Sequence, residues 1–202
     1  LRANVAPRLA GTFYSMDLAT VRAAFEAVPW VRRAVVRREF PNRLRVVLQE
    51  HQAVAYWGGD GELRLINSYG EVFEANVGEV EQDTLPRLSG PEGHGAEVLA
   101  MYRTLVPLFT PLALSIDQLE LSVGGSWRVI LETGAEIELG RGGAADITAR
   151  VQRFLATVTQ VTSRYARHAS AVESADLRHE NGYALRLRGV STTVAAVPPR
   201  KK

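Results

Sequence analysis

The sequence contains no cysteine. Disulfides, thiolate catalysis and Cys-ligated zinc or iron–sulfur centres are therefore excluded, and the chain is indifferent to redox compartment. Lysine occurs only at Lys201 and Lys202, so neither Schiff-base chemistry nor the lysine of a phosphate-binding loop is available to the body of the chain. Histidine is scarce: His51, His94, His168 and His179 stand far apart and never at ligand spacing, whereas zinc needs three or four convergent donors. No apolar run approaches the ~20 residues that cross a bilayer, and no signal-peptide pattern heads the sequence. No Gly-x-Ser-x-Gly elbow occurs, and no carboxylate pair stands in a catalytic motif. Gly140-Arg141-Gly142-Gly143 sits between a predicted strand and a predicted helix, as a phosphate loop would. It lacks the Lys-Ser/Thr pair and the dinucleotide spacing, and reads as a plain strand-to-helix turn. The residues point to no enzyme, no metal and no cofactor.

What is present is an ordinary core-forming composition. Of 202 residues, 46% are apolar and 23% charged, enough for one large domain or two small ones. Charge is segregated. Residues 1–50 hold nine Arg against four acids, a net +5, whereas residues 51–190 hold twelve Arg against eighteen acids, a net −6. The change of sign near residue 50 suggests two modules. Arg32, Arg33, Arg37, Arg38, Arg43 and Arg45 cluster in the first. They are interleaved with Val and Leu rather than stacking aromatics, which argues against nucleic acid. A solvated sheet face, a face toward anionic lipid headgroups, or one toward an acidic partner remain open.

Local patterns predict a small α+β unit followed by a strand-rich one. Asp17 can cap a helix carrying Leu18, Val21, Phe25 and Val28, ended by Pro29. Strands are predicted from Trp30 to Phe40 and over 44–49, joined by the Pro41-Asn42 turn. Short strands follow at 54–57, 63–67 and 71–74, then a loop-like stretch over 76–95. Val98, Met101, Tyr102, Leu105 and Val106 mark a helix ended by Pro107 and Pro111. Strands are predicted at 115–122, 127–132 and 135–140. A second helix begins near Asp146 with an apolar stripe of Ile147, Val151, Phe154, Leu155, Val158 and Val161. Strands at 173–179 and 183–188 close the fold, and residues 191–202 read as a disordered tail. Trp30, Trp57 and Trp127 are expected as core anchors.

The closing hairpin admits two registers. A two-residue Asn181-Gly182 turn would oppose Arg178 to Leu185, putting charge and apolar side chains on one face. A three-residue loop, Glu180 to Gly182, pairs His179 with Tyr183 and Leu177 with Leu185, and is preferred. Strand 183–188 then has no later strand to pair with. It becomes a candidate sheet edge, open to strand addition by a partner.

Several segments together resemble the periplasmic part of the FtsQ/DivIB cell-division family. They are Gly11-Thr12-Phe13, Asp17, Val28-Pro29-Trp30-Val31, Val35-Val36-Arg37-Arg38, Phe40-Pro41-Asn42, Leu44-x-Val46 and Glu50. The likeness continues through Ala55-Tyr56-Trp57, Asn67-Ser68-Tyr69-Gly70, Val72-Phe73, Leu85-Pro86 and Gly90-Pro91-Glu92-Gly93. Ser126-Trp127, Leu139-Gly140-Arg141-Gly142 and Asp176-Leu177-Arg178 complete it. The resemblance implies an N-terminally truncated POTRA unit over 1–52, whose first strand and preceding transmembrane helix are expected to be missing, and a β domain over 53–190. It implies a non-enzymatic scaffold of the inner membrane. Such a scaffold would bind FtsB and FtsL through the C-terminal edge of the β domain and connect to FtsW and FtsI. The binding positions it implies are Arg178, His179, Asn181, Gly182 and Leu187, while Tyr183 and Leu185 share the same strand edge. The family pattern has Tyr where His179 stands, Trp where Leu187 stands and a basic residue where Gly125 stands. A second reading, a POTRA-containing factor for polypeptide transport or outer-membrane assembly, would be expected to carry POTRA repeats or many amphipathic barrel strands, and neither pattern is present.

Overall fold

The structure is a computed structural model, and it describes residues 13–59, 64–75, 85–180 and 182–190. The expected tail and Asn181 lie outside the described residues. A helix and hairpin come first, followed by mixed β-sheet with two further helices, an α+β arrangement. The chain divides into two compact units, Leu1–Leu99 and Ala100–Lys202.

In the first unit, α1 (Leu18–Glu26) starts where the Asp17 carboxylate accepts hydrogen bonds from the Ala19 and Thr20 amides at 3.0 and 3.2 Å. These bonds satisfy donors that a helix start would otherwise leave orphaned. Val21 and Ala24 are its buried residues. The hairpin β1 (Val31–Glu39) and β2 (Arg43–Glu50) is antiparallel, with Val35 opposite Val47, Val36 opposite Val46 and Arg37 opposite Arg45. Because side chains alternate along a strand, Ala34, Val36, Leu44, Val46 and Leu48 share one face, buried or half-buried. Arg33, Val35, Arg37, Arg43, Arg45, Val47 and Gln49 share the other and are exposed. Strands β3 (Ala53–Trp57), β4 (Arg64–Asn67), β5 (Val72–Phe73) and β6 (Arg87–Ser89) form sheet in the order β5-β4-β3-β6, with β3 and β6 parallel. Strand β6 falls inside the stretch expected to be loop; only fully buried Leu88 marks it as structural.

The hairpin is joined to this sheet by rings and by a polar network. Phe73 receives the Trp30 indole edge-on at 5.4 Å and the His51 imidazole stacked at 4.1 Å. The Arg32 guanidinium grips Glu71 at 2.6 and 2.8 Å and lies 3.8 Å above the Tyr69 ring. Asn67, fully buried at 0% exposure, uses all four of its amide valences. Its Oδ1 accepts from the Tyr69 and Glu71 amides at 2.9 and 3.0 Å, while its Nδ2 donates to Glu71 Oε2 at 2.7 Å and to His51 Nδ1 at 2.9 Å. The two backbone N–H groups can only donate, so the amide orientation is fixed and His51 Nδ1 must be the unprotonated nitrogen. Burial, reinforced by Arg32 and opposed by Glu71, keeps His51 below the ordinary histidine pKa. Hydrogen bonds from Arg32, then Asn67, lower the Glu71 carboxyl to about 2.

Helix α2 (Gly95–Phe109) carries Pro107 inside its last turn rather than ending there. A proline removes one N–H without preventing a short continuation, and a 3-10 turn over Thr110–Leu112 follows. In the second unit, β7 (Ile116–Leu121), β8 (Ser126–Leu131), β9 (Glu136–Arg141), β10 (Val172–Asp176) and β11 (Ala184–Leu187) run in that sheet order, antiparallel except for β9 with β10. Parallel strands need a crossover, supplied by α3 (Ala144–Ser163). Its Ile147, Val151, Phe154 and Val158 are buried, the stripe expected at helical spacing, each contributing about 1.5–3 kcal/mol. Gly140–Gly143 is the turn into α3, with Gly143 at its N-cap. Trp57 and Trp127 are core residues, whereas Trp30 is only half-buried.

Candidate functional site

Strand β11 ends the sheet: among the described residues, it pairs with β10 and no strand lies beyond it. Its observed register is neither of the two expected. Ala175 faces Leu185 and Asp176 faces Ala184, with a bulge between Val172 and Ser174. The loop therefore spans 177–183, longer than three residues. The cause is Asp176. Its Oδ1 accepts from the Arg178 amide at 3.0 Å, a local turn that draws the chain out of the ladder. Leu177 still donates to Glu138 O on β9 at 2.8 Å. The shift from the preferred register is two residues, an even number, so the apolar face is conserved.

Main-chain direction along β11 follows from one bond. Arg188 N donates to Ala171 O at 2.9 Å. Backbone groups alternate sides along a strand, so Arg186 and Ala184 point at β10 while Leu185 and Leu187 direct theirs to the open side. The Leu187 carbonyl is engaged by Val190 N at 3.3 Å; the Leu185 N–H and C=O and the Leu187 N–H have no neighbouring strand among the described residues.

Side chains around this edge divide into braces and free groups. Tyr183 is edge-on to Phe154 at 5.0 Å, and its hydroxyl meets Thr157 Oγ1 at 2.9 Å. Arg153 Nη1 donates to Glu180 O at 2.6 Å. These contacts hold the middle and the C-terminal end of the loop against α3. Leu187 is buried and Leu185 half-buried. Arg178, His179 and Glu180 are exposed, and Gly182 is half-buried with open space where a side chain would stand. The Arg178 guanidinium binds both Asp176 oxygens, at 2.9 and 2.6 Å. That pair lowers the Asp176 carboxyl to about 2, with the Arg178 bonds as the leading cause. The Arg178 stem lies over Gly140, whose φ is +80° and where a Cβ would stand 2.8 Å from Arg178 Cγ. Only glycine accepts both the left-handed conformation and that approach. On the open sheet face, Glu136, Glu138, Ser174, Asp176, Ala184 and Arg186 line a shallow depression of about 270 Å³.

The structure thus brings Arg178, Tyr183, Leu185 and Leu187 to one edge and its loop, with His179 exposed beside them. Asp176, Gly140, Arg153 and Thr157, which organise that loop, were not singled out from the sequence as site residues. The Asp176-x-Arg178 spacing was a readable signal for the ion pair; the contacts to Gly140 and Arg153 arise from tertiary packing and had none. Among the described residues no cluster of His, Asp or Glu could hold a metal, and no helix is long and apolar enough to cross a membrane.

Comparison with known proteins supplies family matches. The family described as "Cell division protein FtsQ/DivIB, C-terminal" matches residues 55–178, and "POTRA domain, FtsQ-type" matches residues 1–51. The chain is similar to "Cell division protein FtsQ" of Burkholderia pseudomallei, at 41% identity over 94% of this chain and 74% of the relative. It is 40% identical to the protein of that name from Thiomonas arsenitoxydans, over 94% of this chain and 70% of the relative. The Bordetella pertussis protein is 40% identical, over 93% and 71%.

Proposed function

The chain belongs to the FtsQ/DivIB family of cell-division proteins, and from that premise we propose that it is a non-enzymatic periplasmic scaffold of the division machinery. Residues 1–52 act as its POTRA unit and residues 53–190 as its β domain, tethered to the inner membrane by an N-terminal helix. The β domain captures the FtsB–FtsL pair by adding a strand of FtsB to β11, and so links it to FtsW and FtsI. The observation that carries this reading is the open side of β11, where the Leu185 N–H and C=O meet no strand of the described chain. Each main-chain bond formed there contributes about 0.5–1.5 kcal/mol. Arg178 and His179 stand exposed beside the edge, where a partner's side chains would arrive, while Tyr183 and Leu187 support the strand from beneath.

The alternation along β11 makes the test directional. In calorimetric titrations with a soluble FtsB fragment, Leu185→Pro removes an outward N–H and abolishes measurable binding while circular dichroism stays native. Ala184→Pro strikes the inner ladder and lowers stability instead. Arg178→Glu, repelling any carboxylate brought by the partner, weakens binding about tenfold or more. Unaltered affinity in folded Leu185→Pro protein rules out strand addition at β11.

A further inference from the structure

The outward face of the β1–β2 hairpin is organised in a way that the folding of its own unit does not require. Its four cross-strand pairs are Arg33 with Gln49, Val35 with Val47, Arg37 with Arg45, and Glu39 with Arg43. Four of these eight positions are arginine and one is acidic. Arg45 bonds that one acid, Glu39, at 2.7 Å; among the described residues Arg33, Arg37 and Arg43 make no ion pair. Like charges directly opposite one another destabilise a hairpin, and Arg37 and Arg45 are directly opposite. Between them and the Arg33–Gln49 pair, Val35 and Val47 lie exposed.

The turn end of the same hairpin is aromatic. Phe40 is 78% and Tyr14 74% exposed. Phe13 links them, 6.0 Å from Phe40 and 5.1 Å from Tyr14, each edge-on. Arg38, on the opposite face, donates to the Phe13 and Met16 carbonyls and fastens this segment to the hairpin. An exposed aromatic turn end on a hairpin with a cationic, partly apolar sheet face has the composition of a membrane-surface contact: rings favour the headgroup level, and arginines favour anionic phosphates.

We propose that this face docks on an anionic phospholipid surface, with Arg33, Arg37, Arg43 and Arg45 toward headgroup phosphates and Phe40 and Tyr14 entering the interface. The two exposed rings at the turn end favour a lipid surface, where aromatic side chains seat at the headgroup level, over an acidic peptide, for which the arginines alone would suffice. The proposal does not involve β11, so its failure and that of the strand-addition reading are separately visible.

Flotation of the whole chain with lipid vesicles tests it. The chain floats with equimolar phosphatidylglycerol–phosphatidylcholine vesicles in 50 mM salt, does not float with pure phosphatidylcholine, and releases in 500 mM salt. Arg37→Glu is the informative variant. It replaces a like-charge pair by an opposite-charge one, so thermal stability holds or rises while vesicle binding falls. Combined with Arg43→Glu, it lowers binding at least tenfold. Phe40→Trp gives a fluorescence blue shift on vesicle addition, reporting entry of the tip. Changing Arg200, Lys201 and Lys202 together to Gln leaves binding in place. The proposal is overturned by equal flotation with both lipids, by no flotation, by undiminished binding of the double reversal, or by loss of binding with the tail variant alone. Binding to polyglutamate without binding to vesicles also overturns it and assigns the face to an acidic polypeptide.

Discussion

Asn67→Ala removes a fully buried side chain that uses all its hydrogen-bonding capacity in the junction between hairpin and sheet. Three of its four bonds go to neutral groups: the Tyr69 amide, the Glu71 amide and His51 Nδ1. At about 1 kcal/mol each, they contribute roughly 3 kcal/mol. The fourth goes to the Glu71 carboxylate. That side chain is 47% exposed and regains water when the amide is removed, so solvent screening leaves it a few tenths of a kcal/mol at most. The turn keeps its backbone bonds, Gly70 N to Asn67 O and Asn67 N to Glu71 O, so the loss should be local and not a collapse. A cost of about 3 kcal/mol corresponds to a fall in Tm of about 6–12 °C for a chain of this size. Calorimetry measures the fall, and hydrogen exchange locates it, with Tyr69 and Glu71 amides losing protection first. The isosteric Asn67→Asp gives an independent sign. It keeps the oxygen that accepts from both backbone N–H groups but turns a donor into a carboxylate oxygen beside Glu71 and His51. The added carboxylate raises His51 relative to the parent, so the variant loses less stability than the parent as pH falls below about 6.5. In the parent His51 is lowered, so its stabilisation is present above about pH 6.5 and is lost as pH falls. Two variants within 0.5 kcal/mol of the parent, with the same pH slope as the parent, would refute the fixed-amide reasoning.

Two further outcomes follow from the geometry. His51→Gln keeps an acceptor for Asn67 Nδ2 without a titrating group, so it flattens the loss of stability that the parent shows between pH 7 and 5; Glu71 and Arg32, the charges that face His51, are retained, and an unchanged slope would mean another group sets it. Gly140→Ala strains a φ of +80° by about 1–2 kcal/mol and displaces the Arg178 stem, so Asp176, now held at about 2, titrates closer to its ordinary value in a carboxyl-detected NMR titration; an unmoved Asp176 would show that the stem does not need that seat.

Periodicity carried most of the element order, because the strong signals were buried stripes. The α3 positions Ile147, Val151, Phe154 and Val158 are core residues, and the alternation in β2 separates its two faces as read. What escaped was set by contacts distant in sequence or by too little sequence. Strand β6 has three residues, of which Leu88 alone is buried, too short for any period to register. Pro107 reads as a stop, yet it sits inside the last turn of α2. The closing hairpin is more instructive. Its apolar face was legible from Leu177, Tyr183, Leu185 and Leu187, but its register was not. The choice between loops of three and seven residues rests on the Asp176–Arg178 turn and on where Arg178 can lie over Gly140. The Arg32–Asn67–Glu71 junction was equally illegible, since its members lie up to 39 residues apart.

The braces behind β11 bear on why an open edge could serve recognition instead of being a liability. An unpaired strand that is also loose pays conformational entropy when it is captured. Here Tyr183 is held by Phe154 and Thr157, Glu180 O by Arg153, and Arg178 by Asp176 and Gly140. The strand is short, four residues, which limits unintended pairing, yet these contacts fix its entry and the Arg188 N to Ala171 O bond fixes its exit. Under the strand-addition reading, such an edge would not need ordering when the partner arrives. It also separates two roles along β11. Leu187 points inward and is buried, so exchanging it with the Trp of the family pattern would alter the support of the strand before it altered any contact made by the partner. His179 is exposed, so an exchange with Tyr there would act on the partner directly. Replacing each in turn should separate the two: His179→Tyr changing affinity at constant stability, Leu187→Trp changing stability first.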